Sequence, residues 1–531
     1  MRLPCLAAEA TCTFFVGLAM LLQQGCLYRV CSLDKRLSLD DRVIFGEIGS
    51  GLFMRIHKAV SAVSPWKATS ALLLLGALVA PACAAGPKVS QWLTTPDRTS
   101  LLTKQPGELR FKDAAGSGPT IEVDDAKTFQ TIDGFGFALT GGSAQLIMHM
   151  TPGARTSLLH ELFGSSGNAI GVSYLRVSIG SSDMNDHVFT YDDLPQGEKD
   201  VALEHFNLGP DLTDVVPVLK EILSISPKIS ILASPWSAPS WMKSNDDPKG
   251  GSLKPEFYDT YSRYLVKYIE AMRAQGISID AITVQNEPLN PKNTPSMYMS
   301  SEEQGQFIKQ AFGPELHKHN LATKIILYDH NCDKPDYPIA ILKDPEASQY
   351  VDGSGFHLYG GTIDAMTAVH NVAPQKNLYF TEQMIIDEKS DPSLQIAKPV
   401  SRVLIGATEN WSRNVLLWNL AADPQFGPHT SNGGCPICEG AITIDGDKVT
   451  RNLAFYSVAH ASKFVPRGSV RVSSDSASAD APPHVAFRTP DGKHVVIVAN
   501  PGAEPKTFSV RFKGKSINAT LPAGAAATYT W

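Results

Sequence analysis

Several things are scarce in this chain. Its 53 acidic and 47 basic side chains are scattered over 531 residues, for a formal net charge of -6. No long basic run offers a footprint for a phosphate backbone, which argues against nucleic acid as the main partner. No G-x-G-x-x-G follows a strand-like run, which weakens an open nucleotide-binding sheet. Beyond residue 83 only Cys332, Cys435 and Cys438 remain of the eight cysteines. A metal site needs about four ligands, so no metal is expected, and no organic cofactor either. Cys435-Pro436-Ile437-Cys438 reads instead as a small loop disulfide suited to an oxidising compartment, and Cys332 as a free thiol. There is no low-complexity stretch and no internal repeat beyond a strand–helix rhythm. What is abundant is apolar side chain, at 43% against 19% charged, which excludes a disordered chain and fits a large core.

The N-terminal region reads as an address. Arg55, His57, Lys58 and Lys67 precede an apolar run at 71–80, and Pro81-Ala82-Cys83-Ala84-Ala85 supplies small residues for cleavage. This is the layout of a secretory signal, and the run is too short to anchor a mature chain across a bilayer. Pro81 before Ala82 fits lipid attachment at Cys83 poorly. The expectation is a signal peptide at 54–85 with translation from Met54, a non-native or disordered extension at 1–53, and a mature chain that is secreted or periplasmic.

Eight apolar, β-branched runs follow, at 131–138, 174–179, 229–234, 281–286, 324–328, 353–357, 378–381 and 414–418. Amphipathic stretches lie between them, for example 212–225, 256–275, 302–319 and 337–347. Strand and helix alternating eight times predict an α/β fold, a (β/α)8 TIM barrel. After Phe464 the pattern changes to short strands at 485–488, 495–499, 507–512, 517–521 and 526–531, punctuated by Pro490-Asp491-Gly492 and Pro522-Ala523-Gly524. Residues 89–123 are also strand-like. The expected organisation is a catalytic barrel at 129–464 and an antiparallel β-sandwich side domain built from both chain ends, 86–128 and 465–531.

Functional groups of such barrels gather at the C-terminal ends of the strands. Those ends carry Arg176, Asp183, Trp236, Asn286, Glu287, His357, Tyr359, Glu382 and Trp418. Aromatic faces pack on sugar C–H faces, while amides and carboxylates bind hydroxyls, so the set suits a carbohydrate cleft. Taken singly, each has a bland reading: a salt-bridge arginine, a solvated aspartate, packing tryptophans, a hydrogen-bonded histidine. Glu287 and Glu382 stand three strands apart, at opposite sides of a small barrel mouth. Paired carboxylates cleave glycosidic bonds, with retention at a spacing of about 5–5.5 Å and inversion at about 6.5–9.5 Å. The sequence leaves that choice open.

At these positions the chain resembles glycoside hydrolase family 30. The matching text is Asp133-Gly134-Phe135-Gly136-Phe137-Ala138-Leu139-Thr140, Leu175-Arg176-Val177-Ser178, Ala233-Ser234-Pro235-Trp236-Ser237-Ala238-Pro239-Ser240-Trp241, Asn286-Glu287-Pro288, Phe356-His357-Leu358-Tyr359, Phe380-Thr381-Glu382 and Trp418-Asn419-Leu420. The likeness spans 89–531. It implies a retaining β-glycosidase with Glu287 as acid/base and Glu382 as nucleophile. It also implies that Arg176, Asp183, Trp236, Asn286, His357, Tyr359 and Trp418 shape the subsite for the cleaved sugar, and a barrel with a side β domain.

The expected substrate is a β-glucoside, either a glycolipid or a glucan. The first reading is a secreted glucosylceramidase acting by double displacement. The rival is an endo-β-1,6-glucanase, and a non-catalytic carbohydrate-binding barrel stands as a further alternative. The resemblance is weakest at 424–437, on the leaving-group side, so the aglycone stays open. The discriminating feature is the wall there: broad and apolar for ceramide, polar with aromatic platforms for a second glucose.

Overall fold

A computed structural model describes residues 86–113, 116–387 and 393–531. The upstream extension and signal segment expected from the sequence lie outside these residues. Eight parallel strands form a closed barrel in chain order. They are β1 (Gly134–Leu139), β2 (Tyr174–Ile179), β3 (Ser230–Pro235), β4 (Ala281–Thr283), β5 (Lys324–Cys332), β6 (Val351–Gly361), β7 (Asn377–Glu382) and β8 (Ser412–Leu417). β8 pairs back onto β1 through Val415 and Phe135.

The barrel strands are apolar almost without alternation because helices cover one face and the barrel interior fills the other. Tyr174, Leu232, Ala281, Ile326, Tyr379 and Leu416, one from each of six strands, form a cluster separate from the outer core. This is the packed inner layer of the barrel. The first strand begins at Gly134, not at 131. Gly134 has a φ of +149°, and a Cβ there would lie 2.7 Å from the Ser173 hydroxyl oxygen. Thr120–Thr131 belongs to the side domain instead.

Two helical expectations divide. The stretch at 302–319 starts with a capping box on Ser300 and runs Ser301–Phe307, a wider turn Ile308–Phe312, and Gly313–Lys318. Pro314 has no N–H for the regular ladder, and the Gly313 N–H reaches back to the Ile308 carbonyl. The stretch at 337–347 is Asp336–Leu342 and Pro345–Ser348, separated where Asp344 caps the second piece.

The side domain unites the chain ends. Lys88–Thr94 pairs antiparallel with Ala526–Thr530, Trp92 opposite Thr528. Thr120–Thr131 bridges the two parts of the sandwich, pairing antiparallel with Val470–Ser473 and parallel with Lys506–Phe512. Its core holds Ile121, Val123, Val472, Val496, Phe508, Val510 and Tyr529. The last barrel helix, Leu453–Ser462, packs against this domain through His460, whose ring nitrogens lie 2.9 Å from the hydroxyls of Thr94 and Thr528. Among the described residues, no helix is long and apolar enough to cross a membrane.

Candidate active site

Side chains two residues apart on a strand share a face. Counting two onward from the apolar inner layer gives Arg176 on β2, Ser234 on β3, Thr283 on β4 and Thr381 on β7, with Trp418 just past β8. The layer above the plug is therefore polar. Arg176 is its centre and is fully buried. Its guanidinium donates to Glu382 Oε2 at 2.5 Å, to Asn286 Oδ1 and Asp329 Oδ2 at 2.7 Å each, and to the Ser234 hydroxyl at 3.1 Å.

Glu382 ends β7. Its second oxygen accepts the Tyr359 hydroxyl at 3.0 Å. Glu287 follows the short β4, held by its N–H on the Asp329 carbonyl at 3.0 Å, with a φ of +43°. Asp329 has a φ of +62°. Left-handed conformations in non-glycine residues store strain and persist where the surroundings over-determine them. Asn290 donates to Glu287 Oε2 at 2.7 Å. His357 Nδ1 lies 3.2 Å from Glu287 Oε1 and 3.7 Å from Glu382 Oε1. One oxygen of Glu287 and one of Glu382 lie within 4.8 Å of each other.

The proton placement follows from Asp329. Burial alone would raise its carboxyl, but Arg176, His357 and Thr381 overcome this and hold it far below the usual carboxylate range. An ionised Asp329 accepts the Nε2–H of His357 at 3.0 Å. The other nitrogen, Nδ1, then faces Glu287, and a single proton lies between them. Burial lowers the imidazole, yet the charges of Glu382, Asp329 and Glu287 win and lift it to about 9. Burial likewise raises Glu287, and the bond to His357 outweighs it and draws the carboxyl down to about 2. These two displacements describe one proton lodged on the imidazole side of a shared bond. For Glu382, burial is the largest influence and raises the carboxyl; His357 and Arg176 oppose it, and the Glu287 charge adds to it.

Seven of the nine residues expected from the sequence, Asp183, Trp236, Asn286, Glu287, Tyr359, Glu382 and Trp418, line one cavity of about 680 Å³. Arg176 and His357 lie beneath its floor, fully buried, and touch the carboxylates rather than the open space. Trp236 and Trp418 pack at 5.4 Å between ring centroids, with the Arg176 guanidinium 4.9 Å from the Trp236 ring. The Trp236 indole N–H is buried and has no hydrogen-bond partner among the described residues. Burial, with the Glu382 and Glu287 charges adding, pushes Asp183 up to about 8, which makes it a neutral acid able to donate as well as accept.

The rest of the lining mixes Asn290, Lys292, Asn293, Asn331, Asp333 and Lys334 with Leu289, Pro291, Met384, Pro436, Ile437 and the Cys435–Cys438 disulfide. Cys332 is a buried free thiol. Asp329, His330 and Asn290 are absent from the sequence-based set. β5 runs four residues beyond its expected end, and its polar continuation Asp329-His330-Asn331 follows an apolar run as Glu287 does. That was the available signal. Glu287, His357 and Glu382 are also spaced for a cation. However, Arg176 and Tyr359 already occupy the Glu382 oxygens and Asn290 occupies one of Glu287, so this donor set fits a proton-transfer site better than a metal.

The comparisons with known proteins agree with one another. Residues 132–465 match the family model described as the glycosyl hydrolase family 30 TIM-barrel domain, and 468–529 match the family 30 beta sandwich domain. An endo-1,6-beta-D-glucanase of Neurospora crassa is 33% identical over 449 residues, covering 81% of this chain and 91% of its own. A lysosomal acid glucosylceramidase of Mus musculus is 30% identical over 445 residues, covering 78% and 84%. The solved endo-beta1,6-glucanase BT3312 superposes with a TM-score of 0.77 at 35% identity, covering 84% of this chain and 99% of its own.

Proposed function

The chain belongs to glycosyl hydrolase family 30 and is a glycosidase, and from that premise we propose that it is an exported, retaining endo-β-1,6-glucanase. The observation that carries the substrate is the leaving-group wall. It carries three asparagines, two lysines and an aspartate, interspersed with Leu289, Pro291, Pro436 and Ile437, and Tyr359 stands exposed at its border. A glucose unit has hydroxyls for such groups, and a ceramide tail does not. The relatives with the endo-1,6 name stand at 33–35% identity, against 30% for the mouse glucosylceramidase. The glucosylceramidase reading favoured by sequence alone thus becomes the second one. Carriage of both carboxylates in a family 30 barrel removes support from a purely carbohydrate-binding role.

The spacing of the carboxylates suits double displacement. Glu382, its anion held by Arg176 and Tyr359, attacks the anomeric carbon. The bond to O6 of the next glucose breaks, and the proton shared by Glu287 and His357 passes through Glu287 to that oxygen. The glucosyl ester so formed is opened by water, whose proton returns to Glu287, restoring both carboxyls. Trp236, Trp418, Asn286 and Asp183 enclose the sugar being transferred. The signal-like segment and the disulfide support export.

Incubation with linear β-1,6-glucan, and in parallel with glucosylceramide, tests the reading. Release of gentio-oligosaccharides whose new ends start as the β-anomer is expected. Faster turnover of glucosylceramide than of the glucan would overturn it.

A further inference from the structure

Residues 181–208, between β2 and the helix Val215–Ile225, contain neither helix nor strand. Irregular loops of such length are uncommon in compact domains unless something organises them. This one passes Asp183 on the cavity wall and is pinned midway by Tyr191, which stacks on Tyr268 at 5.7 Å. Trp241 donates its indole N–H to the Asp192 carbonyl at 3.0 Å. Beyond that point three ligand-type side chains converge. Asp192, Asp200 and His205 each offer one atom, all within 4.8 Å of one another. His205 Nδ1 is 3.0 Å from Asp200 Oδ2, which also accepts the His205 N–H at 2.7 Å.

Asp192 makes this more than a cluster of acids. It is 2% exposed, and neither oxygen of its carboxylate has a hydrogen-bond partner among the described residues. A buried carboxylate without a donor is costly and rare in folded proteins. Lys267, a cation near enough to act on it, gives its ammonium to the Leu203 carbonyl at 2.9 Å instead. The orphaned carboxylate points to where the atoms of Asp200 and His205 gather.

We propose that Asp192, Asp200 and His205 bind a divalent cation of the Zn²⁺ class that staples this loop. One imidazole with two carboxylates suits Zn²⁺ better than Ca²⁺ or Mg²⁺, which prefer all-oxygen cages. The donors lie within 4.8 Å of one another, so bonds of about 2.0–2.2 Å ask only for a slight closing of the three side chains on the ion. The His205 side chain is 70% exposed, which gives an entry path and room for water as the remaining ligand. The cation supplies the positive partner that Asp192 lacks. None of the three residues lines the active-site cavity, so the site is independent of the glycosidase chemistry.

The test is calorimetric titration of the chelator-stripped full chain with Zn²⁺, Ca²⁺ and Mg²⁺, paired with thermal unfolding. One Zn²⁺ site is expected, with a midpoint that climbs as Zn²⁺ is added. His205→Ala removes an exposed ligand and leaves the fold intact. It and Asp192→Asn should each weaken binding by roughly 10- to 100-fold. His187→Ala, an exposed histidine elsewhere on the loop, should leave binding unchanged. Absence of Zn²⁺ binding, tighter binding of Ca²⁺, or Zn²⁺ binding untouched by His205→Ala but lost in Glu287→Gln would overturn the assignment.

Discussion

The barrel mouth and the seam between barrel and sandwich both bury polar groups, and they do it in opposite ways. At the mouth, Arg176, Asp329, His357, Glu287 and Glu382 are charged or share a proton, and each is bonded to another of the set. At the seam, His460 lies between two threonine hydroxyls with no charge beside it, and burial pushes its imidazole down to about 3. At the mouth buried charge sits where a proton must move, whereas the seam's own buried charge, Arg471 on Glu409 at 3.1 Å, is a plain ion pair. Where only docking is needed, a neutral ring with two hydrogen bonds is enough. The mouth should therefore fail chemically when altered, and the seam should fail mechanically.

The sharpest way to break this contrast is Glu382→Gln. The amide keeps the shape and removes the proposed nucleophile, so turnover should fall by roughly 10⁴-fold or more, with the thermal midpoint little changed. Activity should stay lost on aryl β-glucosides as well. A residual rate within about a hundredfold of the parent would remove Glu382 from the chemistry. Glu287→Ala comes next. Loss of acid assistance should cost roughly 10²–10⁴-fold on β-1,6-glucan, while an aryl glucoside with a good leaving group should still form the ester readily. Equal losses on both substrates would count against the role of Glu287.

Much of the mouth was legible because the chemistry sits where apolar runs stop. Glu287 and Glu382 follow such runs directly, and the period of two places Arg176 above Tyr174. Asp329 escaped because Tyr328 and Asp329 both turn left-handed, with φ of +72° and +62°. An apolar tally ends the strand at Tyr328, whereas the backbone pairing continues to Cys332. β4 errs the other way, since pairing stops at Thr283 and Asn286 bonds across to the Pro235 carbonyl. Of the leaving-group wall, only the loop 424–437 was placed on that side, by resemblance. The wall joins 289–293, 331–334 and 433–438, which only the closed barrel brings together.

A finer probe of the mouth is its pH profile. The nucleophile must be ionised, so activity should fall on the acid side as Glu382 gains a proton, at a pH above the ordinary carboxyl value of 4.5. The acid must hold its proton, so activity should fall on the alkaline side as the Glu287–His357 pair loses the shared one, near pH 9. His357→Asn should move the alkaline limb downward and the acid limb upward, because the imidazolium charge no longer holds the Glu382 carboxyl down. A kcat/KM profile whose alkaline limb ignores this substitution would show that the proton is not shared.

The smallest effect belongs to the seam. His460 is held well below its unfolded value of 6.5, so the unfolded chain binds more protons between pH 6.5 and about 3. Its contribution to stability is complete above pH 6.5 and drains away as the pH falls toward 3. His460→Gln preserves a polar contact and removes the titration. At neutral pH it should cost about 1–2 kcal/mol, the scale of an imperfectly replaced buried hydrogen bond, with kcat on β-1,6-glucan unchanged. The useful readout is the slope. The thermal midpoint of the parent should drop faster than that of His460→Gln on going from pH 7 to pH 4, so that the two approach each other. Parallel curves would mean that His460 titrates no proton on unfolding.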